Sequence, residues 1–330
     1  MRPFEYVQAR EVSGALAEAE AHDEADFLAG GTTELDLMKD GVLRPSHLID
    51  ITRLPLRGME ERQGTLVVGA LVTMEELAAE PVVVRRLPFV REALLRSASV
   101  QLRNMATIGG NLLQRTRCRY FRDPTVPACN KRERGTGCAA ITGSHRTHAV
   151  LGTSTHCIAT HASDVAVALI AMDAVVHIAG AHGRREIPLS GFYRIPGDTP
   201  DVENELRRGE LITAVEIPLL PEGARSDYLK VRDRTSYEFA LASAAVAVVL
   251  GDDDVIRWAR VGLGGVATVP WRALEAEVVL TGSRAGGEVF AGAARAALAG
   301  AVPLPQNAFK VELAQRTLVR TLRTVTGVTS

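Results

Sequence analysis

The chain has 330 residues, 46% hydrophobic and 23% charged, with a formal net charge of −1. This is the composition of a globular protein large enough for two or three cores. It excludes a global electrostatic field for nucleic acid or anionic lipid, and the apolar runs at 165–172 and 242–250 are far too short to span a bilayer.

The N-terminal MRPFEYVQAR lacks the apolar region of a secretory signal. Residues 4–22 read as a short strand and then a helix, with Val12, Leu16 and Ala19 on one face. DFLAGGTTELDLMKDG, residues 26–41, predicts a strand running into a Gly-Gly turn, then a short helix carrying Leu35 and Met38 inward. HLIDI (47–51) and LVVGAL (66–71) predict buried strands. TMEEL (73–77) holds a Thr-x-x-Glu capping box that starts a helix at Met74, and another helix is expected over 81–97.

After a glycine turn at 109–110 come about fifty residues rich in Arg, Gly, Pro and Thr, with little periodicity. So long an irregular stretch is unusual in a compact domain unless something organises it. Order resumes at 163–180 with a helix leading into a strand, and a first domain closes near residue 220. The rest reads as α+β, with a hairpin around GDDD (251–254) and helices near 271–278, 286–299 and 309–325.

Two segments share a physical logic, LAGGTTEL (28–35) and TIGGN (107–111). Paired glycines remove side chains and let successive backbone N–H groups converge on an anion, and a following helix adds its dipole. Thr32, Thr33 and Thr107 add hydroxyls. Neither segment fits GxGxxG or a P-loop, which argues against a Rossmann site. From the residues alone, a plain tight turn and one half of a dinucleotide clamp both stand.

Cys118, Cys129, Cys138 and Cys157 are the only cysteines, and all fall within 40 residues in the spacing C-x10-C-x8-C-x18-C. Four thiolates suit a [4Fe-4S] cluster or a tetrahedral zinc; two disulfides and unrelated buried thiols are further readings. Around them, eight basic residues (Arg115, Arg117, Arg119, Arg122, Lys131, Arg132, Arg134 and Arg146) face two acidic ones, a net +6. Such a field would stabilise thiolates, and the basic face is read as solvated or as a dock for a protein partner. His145, His148, His156 and His161 are read as polar groups of the loop. His156, beside Cys157, is the candidate donor to a ligand sulfur.

LAGGTTELDL, ATIGGN, SDVAVAL and YLKVRDRTSYEFALASAAVAV, in this order, resemble the FAD-binding subunit of the xanthine dehydrogenase family of molybdenum hydroxylases. In most of that family the TIGGN turn reaches the Ser-Asp motif within about ten residues; here 51 separate Asn111 from Ser163. The extra segment is similar to the insertion in the flavin subunit of periplasmic aldehyde oxidoreductases, where four cysteines hold a [4Fe-4S] cluster. The flavin subunit of 4-hydroxybenzoyl-CoA reductase carries an insertion of the same general kind.

The resemblance implies an α+β chain. An FAD-binding domain of the vanillyl-alcohol-oxidase (PCMH) type, made of two α+β subdomains, covers 1–221, with a cluster-binding insertion at about 112–162. A smaller α+β domain of the CO dehydrogenase flavoprotein C-terminal type covers 222–330. It further implies that Leu28, Ala29, Gly30, Gly31, Thr32, Thr33, Glu34 and Leu35 wrap the FAD pyrophosphate. Thr107, Gly109, Gly110 and Asn111 would form the second phosphate and flavin turn. Asp164 would contact hydroxyls of the cofactor, Ile212 would pack on the isoalloxazine, and Lys230 would lie near that ring. The implied metal ligands are Cys118, Cys129, Cys138 and Cys157.

The expected partners are a large subunit with molybdenum cofactor and a small subunit with two [2Fe-2S] clusters, forming a heterotrimer that passes electrons through FAD to an external acceptor. The expected compartment is the cytoplasm, or the periplasm by co-export with a partner that carries the signal. No nucleophile–base pair stands out, so no catalytic residue is nominated; a flavin relay needs none. The competing readings are the flavin subunit of a 4-hydroxybenzoyl-CoA reductase-like enzyme and a stand-alone NAD(P)H-dependent flavoenzyme with structural zinc. RNA binding by the basic loop is disfavoured, since no aromatic platform accompanies it.

Overall fold

A computed structural model describes residues 1–328. Strands β1 (Glu5–Gln8), β2 (Ala25–Leu28) and β3 (His47–Asp50) form a small parallel sheet in the order β1-β3-β2. The helix Val12–Ala21 packs on it through Ala15 and Ala19. A second sheet joins β4 (Met59–Arg62), β5 (Thr65–Gly69), β6 (Val175–Gly180), β7 (Gly183–Pro188) and β8 (Leu211–Pro218) in the antiparallel order β4-β5-β8-β6-β7. The third contains β9 (Arg225–Val231), β10 (Ala242–Leu250), β11 (Ile256–Gly264) and β12 (Trp271–Arg272) in the order β12-β11-β10-β9.

The apolar run of β10 reflects burial on both faces. Ala242, Ala244, Val246 and Val248 pack under the helices Leu274–Leu280, Gly287–Ala297 and Phe309–Thr326, whereas Ala245 and Ala247 join the core around the helix Asp164–Ala171. A Cβ on Gly262 would lie 2.4 Å from the Val167 carbonyl oxygen, so glycine in β11 lets that helix lie close on the sheet.

Three expectations change. The helix expected over 81–97 is two helices, Pro81–Arg86 and Pro88–Arg96, interrupted at Leu87 because the proline ring disfavours helical geometry in the residue before it. Leu37, not Leu35, is the inward partner of Met38 in the helix Glu34–Asp40. Trp271–Arg272 pairs with β11, so the next helix starts only at Leu274. The strands β4, β7 and β9 carry no clear apolar signal because all three are sheet edges.

Residues 112–162 contain two one-turn helices, Arg119–Arg122 and Ala139–Thr142, and an isolated bridge between Cys129 and Cys138. The segment is nonetheless anchored. Val150 and Leu151 enter the core of the third sheet, and the buried Lys310 ammonium reaches the carbonyls of Thr147 and His148, 3.1 and 2.9 Å away.

Candidate functional site

The two glycine turns meet. A Cβ on Gly30 would fall 1.8 Å from the Met105 carbonyl oxygen, so only glycine lets the GGTT turn sit against the chain entering TIGGN. Gly31 has φ +70, the left-handed region that glycine enters without steric cost. Thr107 caps the short helix Ile108–Leu112 by accepting the Gly110 N–H.

The paired glycines of TIGGN divide their work. Gly109 donates to the Ala70 carbonyl at 2.9 Å, and a Cβ there would come within 2.9 Å of the Ala70 side chain, so its glycine serves packing. Gly110 faces a cleft of about 310 Å³.

Thr32, Thr33, Asn111, Asp164 and Lys230 line the same cleft, as do Arg117 and Phe239. Ser163 Oγ donates to Asn111 Oδ1 at 2.6 Å and also accepts the Ala166 N–H, tying the TIGGN turn to the start of the helix Asp164–Ala171. The N-cap of that helix is therefore Ser163, and Asp164 is its first residue.

The Asp164 carboxylate accepts from Lys230 Nζ at 2.7 Å and from the Tyr228 hydroxyl at 2.5 Å, and Ser97 Oγ lies 3.1 Å from it. Both members of the ion pair are buried, and burial beside Asp164 holds the Tyr228 hydroxyl well above its ordinary range. Lys230 also donates to the Arg96 carbonyl, at 3.1 Å. A charged pair this buried is retained only with such complete hydrogen bonding.

Leu28, Ala29, Gly30, Gly31, Glu34, Leu35, Thr107 and Gly109 shape or support the turns without lining the cleft. Ile212 is not brought there at all. It pairs with Ile178 in the second sheet and is buried in that sheet's core, because β8 is a central strand. Glu34 is held between Asp26 and Arg115; burial first, and then the Asp26 charge, push its carboxyl up to about 8. A wider groove of about 770 Å³ runs beside the second sheet but includes none of the predicted site residues. The smaller cleft, where the turns and the buried pair converge, is the cofactor candidate.

The four cysteines are free thiols, with Cys129 and Cys157 buried. They are brought together: Cys118 feels Cys129 and Cys157, and Cys157 feels Cys138 and Cys129. Burial first, then the neighbouring sulfurs, push the Cys118 thiol up to about 12. His148, not His156, touches a sulfur, with Nε2 3.2 Å from Cys118 Sγ. The His156 ring is half-exposed and faces Asp198. Burial lowers His148 to about 4, so its ring is neutral.

Most of the basic residues are paired within the chain, while Arg119 is exposed. Arg117 and Arg122 bind Asp36, 2.9 and 2.6 Å away, and Arg122 also reaches Asp40. Arg115 and Lys131 share Glu203, Arg134 binds Asp201, and Arg146 binds Asp233. Arg132 donates to carbonyls of residues 120–126. The positive charge of the insertion is thus largely offset by acids that lie outside it in sequence.

Residues 2–220 match the family model of the FAD binding domain in molybdopterin dehydrogenase. Residues 227–325 match the CO dehydrogenase flavoprotein C-terminal domain. The chain belongs to this FAD-binding family. It is an oxidoreductase subunit of the xanthine dehydrogenase group. It is 46% identical over 325 residues, 98% of both chains, to the aldehyde oxidoreductase FAD-binding subunit PaoB of Escherichia coli. It is 28% identical to the glyceraldehyde dehydrogenase medium chain of Sulfolobus acidocaldarius, over 85% of this chain and 82% of that one. A solved carbon monoxide dehydrogenase from Hydrogenophaga pseudoflava superposes with a TM-score of 0.76 at 28% identity, covering 98% of this chain and 97% of its own.

Reading the sequence missed Tyr228 and Ser97, and it named Arg117 and His148 only as basic and polar groups of the insertion. None of these carries a local pattern, since each reaches the site only through tertiary packing.

Proposed function

We propose that this chain is the FAD- and [4Fe-4S]-binding electron-transfer subunit of a molybdenum-dependent aldehyde oxidoreductase. It would work beside a molybdenum-cofactor large subunit and a small subunit with two [2Fe-2S] clusters. The observation that carries this reading is the helix Glu34–Asp40. It emerges directly from the GGTT turn, its Asp36 and Asp40 grip Arg117 and Arg122, and its Leu37 packs with Phe121 and Cys129. Arg117, the neighbour of Cys118, lines the cleft. The flavin turn and the cysteine loop are one packed unit, which favours short-range electron transfer. The aldehyde assignment rests on the 46% identity to an aldehyde oxidoreductase subunit.

The donor sets fit both groups. For FAD, the cleft offers the Thr32 and Thr33 hydroxyls, a backbone left bare at Gly110, and a buried Asp164 carboxylate suited to accept from sugar or ribityl hydroxyls. For the cluster, four converging thiols are supported by the His148 contact. Zinc fits less well. Zn–S bonds of about 2.3 Å place tetrahedral ligands roughly 3.8 Å apart. Yet among the described residues the only ligand group within 4.8 Å is Glu18, His22 and His47, so no three of these sulfurs lie that close. Wider spacing suits a multi-iron cluster.

When bound, FAD supplies two-electron and one-electron redox chemistry, and the cluster supplies one-electron transfer. The chain's own part is to bind and tune. Lys230 and Tyr228 hold the Asp164 carboxylate in one orientation, and His148 is placed to donate to the Cys118 sulfur. Replacing Cys129 with Ser is expected to lower iron by about one cluster per chain while FAD remains. Iron, zinc and flavin assays, with an anaerobic spectrum before and after dithionite, check this. Unchanged iron in Cys129→Ser would remove the cluster from the reading, and zinc in place of iron in the wild type would favour a stand-alone flavoenzyme.

A further inference from the structure

If FAD occupies the cleft between the glycine turns, its pyrophosphate brings negative charge there, and most of the cations lining the cleft are already committed. Lys230 gives its ammonium to the Asp164 carboxylate and the Arg96 carbonyl. Arg234 donates to the Tyr237 carbonyl of its own loop and lies 3.6 Å from Glu238. Arg117 is different. Among the described residues its one hydrogen bond runs from Nη1 to Asp36 Oδ2, at 2.9 Å, so the other N–H donors of its guanidinium are uncommitted.

We propose that Arg117 pairs with the FAD pyrophosphate, so that the cysteine insertion supplies the cation of the flavin site. The proposal rests on the reading of this cleft as the place of the flavin. Asp36 follows Thr32 and Thr33 closely in the chain, and its contact tethers the guanidinium beside the GGTT turn. Thr32, Thr33, Gly110 and Asn111 line the cleft together with Arg117. The guanidinium carbon also lies 4.9 Å from the centroid of the Phe239 ring, a cation–π contact that restricts the side chain further. Arg117 is thus held by a carboxylate and a ring, yet its side chain remains 36% exposed.

The local charges favour an incoming anion. Asp36 is shared between Arg117 and Arg122. Burial first, and then the Arg122 charge, lower Arg117 from its ordinary range, and Asp36 only partly offsets them. Backbone N–H groups and threonine hydroxyls can bind phosphate oxygens but carry no net charge to match them. A planar guanidinium adds that charge and offers paired donors to two oxygens, which a lysine ammonium does not. Because Arg117 directly precedes Cys118, the segment that presents this thiol also closes the flavin cleft.

The test uses the full chain, freed of flavin and with its iron quantified, titrated with FAD at low and high salt. Arg117→Ala should bind FAD roughly tenfold to a hundredfold more weakly at low salt. The gap to wild type should narrow as salt screens the charge. Arg117→Lys should recover part of the loss, since it restores the charge without the fork. Arg234→Ala, which removes a cation already committed to its own loop, should weaken FAD by less than about threefold. Iron content should match wild type throughout, and Arg117→Gln replaces the alanine variant should that one lose iron. Equal FAD affinity in wild type and the Arg117 variants would overturn the proposal. So would a loss that is the same at every salt concentration and unrelieved by lysine, the mark of a reshaped cleft. A wild-type chain that binds no FAD would remove the flavin reading of the cleft itself, and this assignment with it.

Discussion

Under the proposed function, the glycine-turn cleft and the cysteine insertion would each hold a charged cofactor in a protein interior, and they are built from opposite materials. The cleft relies on main chain and one buried ion pair. Gly30 brings the turns within contact of each other, Gly110 leaves backbone bare, and Asp164 is fixed by Lys230 and Tyr228. The insertion has almost no regular structure, and side chains organise it: four thiols at its centre, arginines around them bound to distant acids, and Lys310 beneath. Packing in the cleft therefore tolerates almost no change of shape. The insertion depends on chemistry at a few named atoms and on ion pairs that individually contribute about 0–1 kcal/mol at the surface.

Gly30→Val attacks the cleft where it is least forgiving, because the obstacle is the Met105 carbonyl and not a movable side chain. Complete loss of flavin is expected, with several kcal/mol of stability, on the order of other forced overpacking and strain. Flavin content and a melting curve check it. Wild-type values for both would break the claim that the cleft is set by backbone contact.

Asp164→Asn comes next. It leaves the Lys230 ammonium buried without its counter-charge, which costs about 3–5 kcal/mol. Pairing it with Lys230→Met should recover a large part of that loss, measured by urea unfolding of the single and double variants. Additive losses would show that the two residues do not act as a pair.

Glu34, between the two regions, gives a pH signature. Its folded carboxyl, near 8, holds a proton that the unfolded chain releases around its ordinary 4.5. The folded state binds more protons over that window, so this group costs stability as pH rises from about 4.5 to 8. Glu34→Gln should flatten that fall, seen as converging wild-type and variant urea midpoints at low pH and diverging ones at high pH. Parallel curves would mean that Glu34 is already ionised in the fold.

The smallest effect is expected at His148→Leu, which removes the contact to Cys118 without touching a ligand. If the proposed cluster is bound, iron content should hold while its reduction potential falls, because a donor to a ligand sulfur stabilises the more negative reduced state. An EPR-monitored titration reads it; an unchanged potential would reduce His148 to a packing residue.

Much of this protein was legible in its sequence, for physical reasons. Gly30 and Gly31 mark a place where no side chain fits, the Thr73–Glu76 capping box fixes a helix start from three residues' spacing, and four cysteines in one irregular loop predict a shared ligand. These signals are local or carried by residue types with few alternative uses. Tertiary structure alone decided the rest. Ile212 went into the core because β8 lies in the middle of its sheet, and Gly109 turned to Ala70 while its twin faced the cleft. His148 rather than His156 met a sulfur, and the net +6 of the insertion was offset by Asp36, Asp40, Asp201, Glu203 and Asp233. Sequence spacing fixes which groups a segment can offer; which way each one faces, and which distant charge meets it, is set only when the elements pack.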